Sequence, residues 1–160
     1  MRNPNHAGFS LVELATVLMV ISLAAAVGAP AVTGYFRSNE MERSVSQFSA
    51  HLDLARHRSI AQNNPYEVLL GDPAANQIRI HDDDDGDGSV DEGETVLGPY
   101  DLPGGIAFTD VALNGDGRLV FRPSGMLDAG QGGTVLLADG HGNEVRIEIF
   151  GSGSVSRVED

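Results

Sequence analysis

The hydrophobic positions at the start of the chain form one long run. From Leu14 to Phe36 there are 23 consecutive residues without a formal charge. At a rise of 1.5 Å per residue, a helix of this length covers roughly 35 Å, which exceeds the hydrocarbon core of about 30 Å of a bilayer. We therefore predict that residues 9–36 form a membrane-spanning half of a helix.

One acid lies inside this otherwise apolar segment. Glu13 follows Phe9 by four residues. A carboxylate in the apolar layer costs a few kcal/mol, so its presence indicates a function and a partner. A secretory signal peptide would have a shorter apolar region and a small-residue cleavage site. Val27-Gly28-Ala29 imitates such a site, but Pro30 would follow the cut. A plain membrane anchor accounts for the length of the run and leaves Glu13 unexplained.

The pattern then becomes amphipathic. Apolar and small residues recur at spacings of three and four, as on one face of a helix. This stripe consists of Met41, Val45, Phe48, Leu52, Ala55 and Ser59. Asn63-Asn64-Pro65 ends the pattern, because proline disfavours helix in the residue before it. We predict one helix from about Phe9 to Asn63, kinked near Gly28 and Pro30, whose second half (residues 37–64) packs on a sheet.

From residue 65 to residue 160 the pattern changes to short strand-like segments separated by Gly, Asp and Asn clusters. The clearest hairpin joins TVLLA to EVRIEIF across DGHGN. The eight predicted strands are residues 66–70, 77–80, 95–97, 106–109, 118–121, 134–138, 144–150 and 154–158. A helix followed by antiparallel strands, without βα alternation, indicates the α+β class, with a long N-terminal helix packed on a C-terminal antiparallel β-sheet domain.

Composition excludes several classes of function. The net charge is −13, all ten basic residues are arginines, and cysteine is absent. An acidic surface repels polyanions, so nucleic acid is not an expected partner. Without cysteine there is no disulfide, thiolate catalysis or Cys-ligated metal. His51 and His57 are six residues apart and do not share a helix face as a zinc pair would. Catalytic motifs are also absent, so we do not expect an enzyme.

A metal-binding pattern lies between two predicted strands. The segment HDDDDGDGSVDEGET satisfies the EF-hand loop pattern D-x-D-x-D-G-x₅-E. In this pattern carboxylates, one backbone carbonyl and a closing bidentate glutamate surround Ca²⁺, and Val90 is the apolar residue that packs the loop. The predicted ligands of one calcium ion are Asp83, Asp85, Asp87, Ser89, Asp91 and Glu94. The alternative is a solvated acidic loop. We expect the loop, residues 83–94, as an insertion without the paired helices of calmodulin-type proteins.

The N-terminus carries a family resemblance. A short polar leader ending in Gly8 is followed by FSLVEL, with glutamate at the fifth position after the glycine. This motif resembles the class III signal of type IV pilins and pseudopilins, and Pro30 stands where such proteins commonly have a proline. The resemblance implies that prepilin peptidase removes residues 1–8 by cutting after Gly8 and that Phe9 is then methylated. It also implies that Glu13 pairs with the free amine of a neighbouring subunit.

The segments ARHRSIAQNN and FRPSG and the closing strand around Arg157 resemble the GspH/FimT branch of minor pseudopilins. That resemblance implies a structural subunit of a type II secretion pseudopilus, with other pseudopilins as partners. The protein would cross the bacterial inner membrane once, with the N-terminus cytoplasmic and the C-terminal domain periplasmic. The alternatives are a FimT-like minor pilin of a type IV pilus that takes part in DNA uptake, and a tethered calcium-binding domain that never assembles.

Overall fold

The structure is a computed structural model that describes residues 10–115 and 117–158, apart from the side chains of residues 27–38. The predicted processing residues Gly8 and Phe9 lie outside this description. The side chains around the kink predicted near Gly28 and Pro30 lie outside it too. The chain divides into two compact units, Met1–Ser38 and Asn39–Asp160, and each is described by itself.

One α-helix, α1, runs from Leu11 to Gln62. At its start the hydroxyl of Ser10 accepts a hydrogen bond from the backbone N–H of Glu13 at 3.1 Å, which satisfies an N–H that has no partner within the helix. At its end Asn63 adopts a left-handed conformation with φ 55°, the usual geometry of a helix C-terminus. The sequence-predicted bounds of about Phe9 and Asn63 therefore agree with the helix as far as it is described.

In the first unit, the described part of α1 exposes its apolar side chains. Among them are Leu11, Val12, Leu14, Val17, Leu18, Met19, Val20, Ile21 and Leu23. Within the described residues, no helical stretch combines the length and the hydropathy needed to cross a membrane. The membrane-spanning segment predicted for residues 9–36 includes ten residues at its end whose side chains are not described, 27–36. It stays a prediction.

The described residues of the second unit form eight strands, one for each predicted segment. Their bounds are β1 (Tyr66–Leu70), β2 (Gln77–Asp82), β3 (Val96–Asp101), β4 (Ala107–Leu113), β5 (Val120–Phe121), β6 (Gly133–Ala138), β7 (Glu144–Ile149) and β8 (Val155–Val158). The largest differences from the prediction are at β3 and β4, which each end four residues later than predicted. β3 continues through Gly98 and Pro99 instead of ending at residue 97.

The strands form two antiparallel sheets, where the sequence analysis expected one sheet domain. The first sheet has the order β3-β2-β1-β5, and the second has the order β4-β6-β7-β8. A 3₁₀ turn at Pro103–Gly105 separates β3 from β4, and β4 then pairs with β6. The predicted hairpin is present as β6 and β7, with Ala138 opposite Glu144.

The hydrophobic core of the second unit lies between the helix and both sheets. The predicted stripe of α1 supplies Met41, Phe48, Leu52 and Ala55, which are buried. Phe48 meets Phe108 of β4 edge to face, with ring centroids 5.8 Å apart. The first sheet contributes Val68, Ile78 and Ile80, and the second contributes Val135, Leu137 and Ile147. The amphipathic pattern of the sequence therefore identifies the buried face of α1.

A candidate metal-binding loop and its buried charges

The acidic loop connects β2 to β3, which are antiparallel neighbours in the first sheet. Its base is closed by two hydrogen bonds from the end of β2. The N–H of Asp82 donates to the carbonyl of Thr95 at 3.2 Å, and the N–H of Asp83 donates to the carbonyl of Pro65 at 3.1 Å. The loop therefore projects from a fixed pair of strands and is also attached to the segment that follows α1.

Three of the predicted ligands lie together. Asp83, Asp85 and Asp87 each place a carboxylate oxygen within 4.8 Å of the other two. Backbone N–H groups of the loop hold two of these side chains: the N–H of Asp87 donates to Asp85 at 3.1 Å, and that of Ser89 donates to Asp87 at 2.6 Å. Oxygen ligands gathered in this way suit a hard cation such as Ca²⁺.

Gly88 allows the turn that brings these carboxylates together. Its φ of +79° is strained for any residue with a side chain, and its N–H donates to the carboxylate of Asp83 at 3.1 Å. A Cβ on Gly88 would lie 2.6 Å from the central carbon of the Arg118 guanidinium. The backbone conformation therefore favours glycine at this position, and a Cβ there would also displace the guanidinium of Arg118.

The remaining predicted ligands are placed differently. Ser89 and Asp91 are exposed on the loop. Glu94 turns its carboxylate inward, where it accepts hydrogen bonds from the N–H of Asp91 at 3.0 Å and from Nδ1 of His81 at 3.1 Å. The described residues that form the three-carboxylate cluster do not include Glu94. Val90, which we expected to pack the loop, is 38% exposed, so that expectation stays a prediction.

Beneath the loop lies a buried network of charged groups that the sequence analysis did not identify. Glu67 of β1 is only 2% exposed. Arg118 binds it with two parallel hydrogen bonds, Nε to Oε1 at 2.9 Å and Nη2 to Oε2 at 2.8 Å. The same Nη2 also donates to Asp83, which is 1% exposed. Arg118 therefore joins the first acid of the loop to an acid of the sheet.

His81 occupies the corresponding position at the other end of the loop. Its Nε2 lies 3.2 Å from Oε2 of Glu67, and its Nδ1 lies 3.1 Å from Oε2 of Glu94. The antiparallel register explains the contact with Glu67, because Glu67 and His81 are directly opposite each other in β1 and β2. A carboxylate lies beside each ring nitrogen, and this arrangement favours the protonated imidazole, in which both nitrogens donate.

The pKa values of these groups reflect the competition between burial and pairing. Burial alone lowers the pKa of His81, but the carboxylates of Glu67 and Glu94 outweigh it and hold this pKa above its usual value. Burial alone raises the pKa of Glu67, but hydrogen bonds from His81 and Arg118 hold it below its usual value. In the exposed part of the loop the negative charge of Asp87 raises the pKa of Asp91, which reflects the repulsion among the carboxylates there.

A cleft of about 310 Å³ opens beside the loop. Asp83, Arg118 and Gln131 line it, together with the ion pair of the exposed Arg122 and the half-buried Asp128, whose charged atoms are 2.5 Å apart. Opposite charges are paired along this cleft, so its described lining does not present a single sign of charge.

The other predicted site residues lie in the helix. Glu13 is exposed in the first turn of α1, between the exposed apolar side chains of Val12 and Leu14. Its position at a helix N-terminus is electrostatically favourable for an acid. Gly8 and Phe9 precede the described residues.

A long N-terminal helix whose second half packs on antiparallel sheets is the pilin-like arrangement, and the core described above has this arrangement. Residues 44–153 match the model of the family described as type II transport protein GspH. The match covers more than half of the chain, and the chain therefore belongs to the GspH family. At the level of the family, this is a minor pseudopilin of type II secretion, which is a structural class of protein. No curated protein and no solved structure was found to match the chain.

Proposed function

We propose that this protein is a minor pseudopilin that is incorporated into the pseudopilus of a type II secretion system through its N-terminal helix. In this proposal prepilin peptidase removes residues 1–8 by cutting after Gly8, and the new N-terminal residue, Phe9, is methylated. The helix first anchors the protein in the inner membrane and then packs among the helices of neighbouring subunits. The second unit, Asn39–Asp160, stays in the periplasm.

The observation that supports this proposal best is the contrast between the two units of the chain. The second unit has its own core, whereas the described start of α1 exposes a continuous set of large apolar side chains, with Leu11 84% exposed. Leaving apolar surface in water costs about 25 cal/mol per Å², so these side chains require a cover of lipid or of other helices. A membrane and a helical filament shaft supply these two covers in turn.

Glu13 has a specific role in this proposal. Its carboxylate is exposed among apolar side chains, where a filament shaft would remove it from water. A carboxylate that is withdrawn from water without a partner is costly, and pairing with an amine of a neighbouring subunit offsets that cost. Such a pair also fixes the axial position of one helix against the next.

The direct test is mass spectrometry of the N-terminus of the protein purified from its native host. We expect a mature chain that begins with N-methylated Phe9. An intact Met1, or a chain that begins at Pro30, would contradict the proposal.

Incorporation is tested with Glu13→Gln, which keeps the shape of the side chain and removes its charge. We expect normal insertion into the membrane and reduced recovery in sheared pseudopilus fractions. Glu144→Gln, which removes an exposed charge from β7, is the matched control and should assemble normally. Equal incorporation of the Glu13 and Glu144 variants would show that charge pairing is not the reason for this acid.

The arginine placement favours the structural proposal over a DNA-uptake pilin. Arg146 of β7 lies opposite Val158, and Arg157 of β8 lies opposite the buried Ile147. Residues opposite each other share a face, so Arg146 and Arg157 are on opposite faces of the second sheet. Arg157 is also paired with Glu42 at 2.7 Å. These arginines do not form the one-sided basic surface on which phosphate binding depends.

We further propose that the loop of residues 83–94 binds one Ca²⁺. The EF-hand pattern and the convergence of Asp83, Asp85 and Asp87 support this proposal. Isothermal titration calorimetry of the full-length chain in mild detergent tests it. We expect one site per chain for Ca²⁺, and Mg²⁺ at the same concentration should bind more weakly because it demands a tighter octahedral shell. No heat of binding with Ca²⁺ would identify the loop as a solvated acidic turn.

A further inference from the structure

The two ends of the acidic loop are attached to the same buried carboxylate. Asp83, the first predicted ligand, is linked through Arg118 to Glu67. Glu94, the last predicted ligand, is linked through His81 to the same Oε2 atom of Glu67. Glu67 is not part of the loop, since it lies 16 residues before Asp83 on β1.

The sheet holds these groups in place. Glu67 is opposite His81 in β2 and opposite Val120 in β5. It therefore lies between the strand that carries His81 and the strand that follows Arg118. Its carboxylate accepts three hydrogen bonds, at 2.9, 2.8 and 3.2 Å. A side chain that is buried and bonded on both oxygens has one orientation, and it transmits that orientation to Arg118 and His81.

We propose that Glu67 is a positioning residue for the cation loop, which fixes the carboxylates of Asp83 and Glu94 relative to each other through Arg118 and His81. The inference rests on the proposed calcium function of the loop. Groups behind metal ligands orient those ligands, and removing such groups typically weakens metal binding about 10- to 100-fold. Glu67 supplies this orientation to the first and last ligands at once.

The test is Glu67→Gln. A neutral amide of the same size offers one acceptor oxygen, and its NH₂ group faces donors of Arg118 or His81 with no acceptor between them. We expect the calcium affinity of the full-length chain in mild detergent, measured by titration calorimetry, to fall at least about tenfold. Glu148→Gln is the matched control, because it removes an exposed carboxylate from β7 and should leave the affinity unchanged.

A spectroscopic measurement separates positioning from general stability. The luminescence lifetimes of bound Tb³⁺ in H₂O and D₂O count the water molecules on the ion. We expect a higher water count in Glu67→Gln than in the wild type, because a displaced carboxylate is replaced by water. Equal affinity and an equal water count in the two proteins would overturn the proposal for Glu67.

Failure of the calcium function itself gives a different result, in which the wild-type chain shows no binding. If Glu67→Gln does not fold by circular dichroism, Arg118→Lys examines the same link, because it keeps the positive charge and loses the planar fork that binds Glu67. We expect this variant to bind calcium more weakly as well. Wild-type affinity in Arg118→Lys would show that the link from Glu67 to Asp83 does not position the ligand.

Discussion

Two acidic connections between strands of the second unit supply hydrogen-bond donors to their aspartates in different ways. The turn between β6 and β7 is built around Asp139, whose carboxylate accepts from the N–H of His141 at 2.7 Å, the N–H of Asn143 at 3.1 Å and the side-chain amide of Asn143 at 2.5 Å. All three donors lie within four residues of Asp139. The loop between β2 and β3 gives Asp83 one backbone donor, from Gly88, and the guanidinium of Arg118, which is 35 residues away.

The difference shows that the number of acids in a connection determines whether neutral hydrogen-bond donors suffice or positive charge is required. A single carboxylate in a short turn is satisfied by neutral donors of the same turn. Several carboxylates in one loop repel each other, and the raised pKa of Asp91, caused first by Asp87, is a sign of that repulsion. Such a loop needs positive charge from outside. Arg118 provides it from the sheet side, where His81 also lies beside Glu94, and a bound cation would provide it from the solvent side.

Asp83→Asn should have the largest effect on stability in this comparison. It removes the acceptor of a charge-assisted bond from Arg118 at a buried site, so we expect a loss of about 1–3 kcal/mol of unfolding free energy, measured in the presence of a chelator. It should also abolish stabilisation by calcium. Asp139→Asn is the control from the other connection, and its smaller loss should be the same with and without calcium. A larger loss of unfolding free energy in the Asp139 variant than in the Asp83 variant would contradict this prediction.

Calcium should stabilise the loop of residues 83–94 and leave the turn of residues 139–143 unaffected. If the dissociation constant is 10⁻⁴–10⁻³ M, as in extracellular calcium modules, millimolar Ca²⁺ adds on the order of 1 kcal/mol to the free energy of unfolding. The measurement is thermal unfolding of the full-length chain with calcium, magnesium and chelator. Hydrogen exchange should slow in the loop of residues 83–94 and remain constant in the turn of residues 139–143. Equal midpoints with calcium and chelator would argue against the calcium site.

We expect the smallest effect from Asn143→Ala in the turn between β6 and β7. The side chain of Asn143 is the main cause of the lowered pKa of Asp139, so its removal should raise this pKa toward its ordinary value of 3.8. A lowered carboxyl pKa stabilises the folded state at pH values above the ordinary pKa. This stabilisation is lost as the pH falls below about 4 toward the pKa of the folded state. Titration of Asp139 by NMR measures the change. An unaltered pKa in the variant would show that the backbone donors alone hold the carboxylate.

The sequence predicted those parts of the fold that depend on local pattern. The buried face of α1 follows from a spacing of three and four residues, and each strand follows from apolar runs bounded by turn residues. The end of β3 was misjudged because Gly98 and Pro99 are turn-forming residues. β3 lies at an edge of its sheet, where a proline is tolerated because no other strand of the described chain pairs with its outer side.

The charge network behind the loop was missed for a different physical reason. The motif that contains Asp83 and Glu94 is contiguous and can be read directly. Glu67 lies in an otherwise apolar strand, and its burial depends on His81, 14 residues later, and on Arg118, 51 residues later. Nothing local distinguishes it from a solvent-facing acid. The one available indication is that YEVLL carries its charge between residues that the core would bury.

The proline in β3 also affects how this subunit avoids unwanted aggregation. β3 is the outer strand of the first sheet, and an unprotected edge of this kind can be extended by a strand from another molecule. Pro99 has no N–H to offer such a strand, and the register shift opposite Ile78 and Ile80 distorts the edge. If the protein assembles through its helix, as we propose, it must not also polymerise through its sheets. Pro99 therefore disfavours amyloid-like pairing at this edge, and it does so independently of the assembly that we propose for the helix.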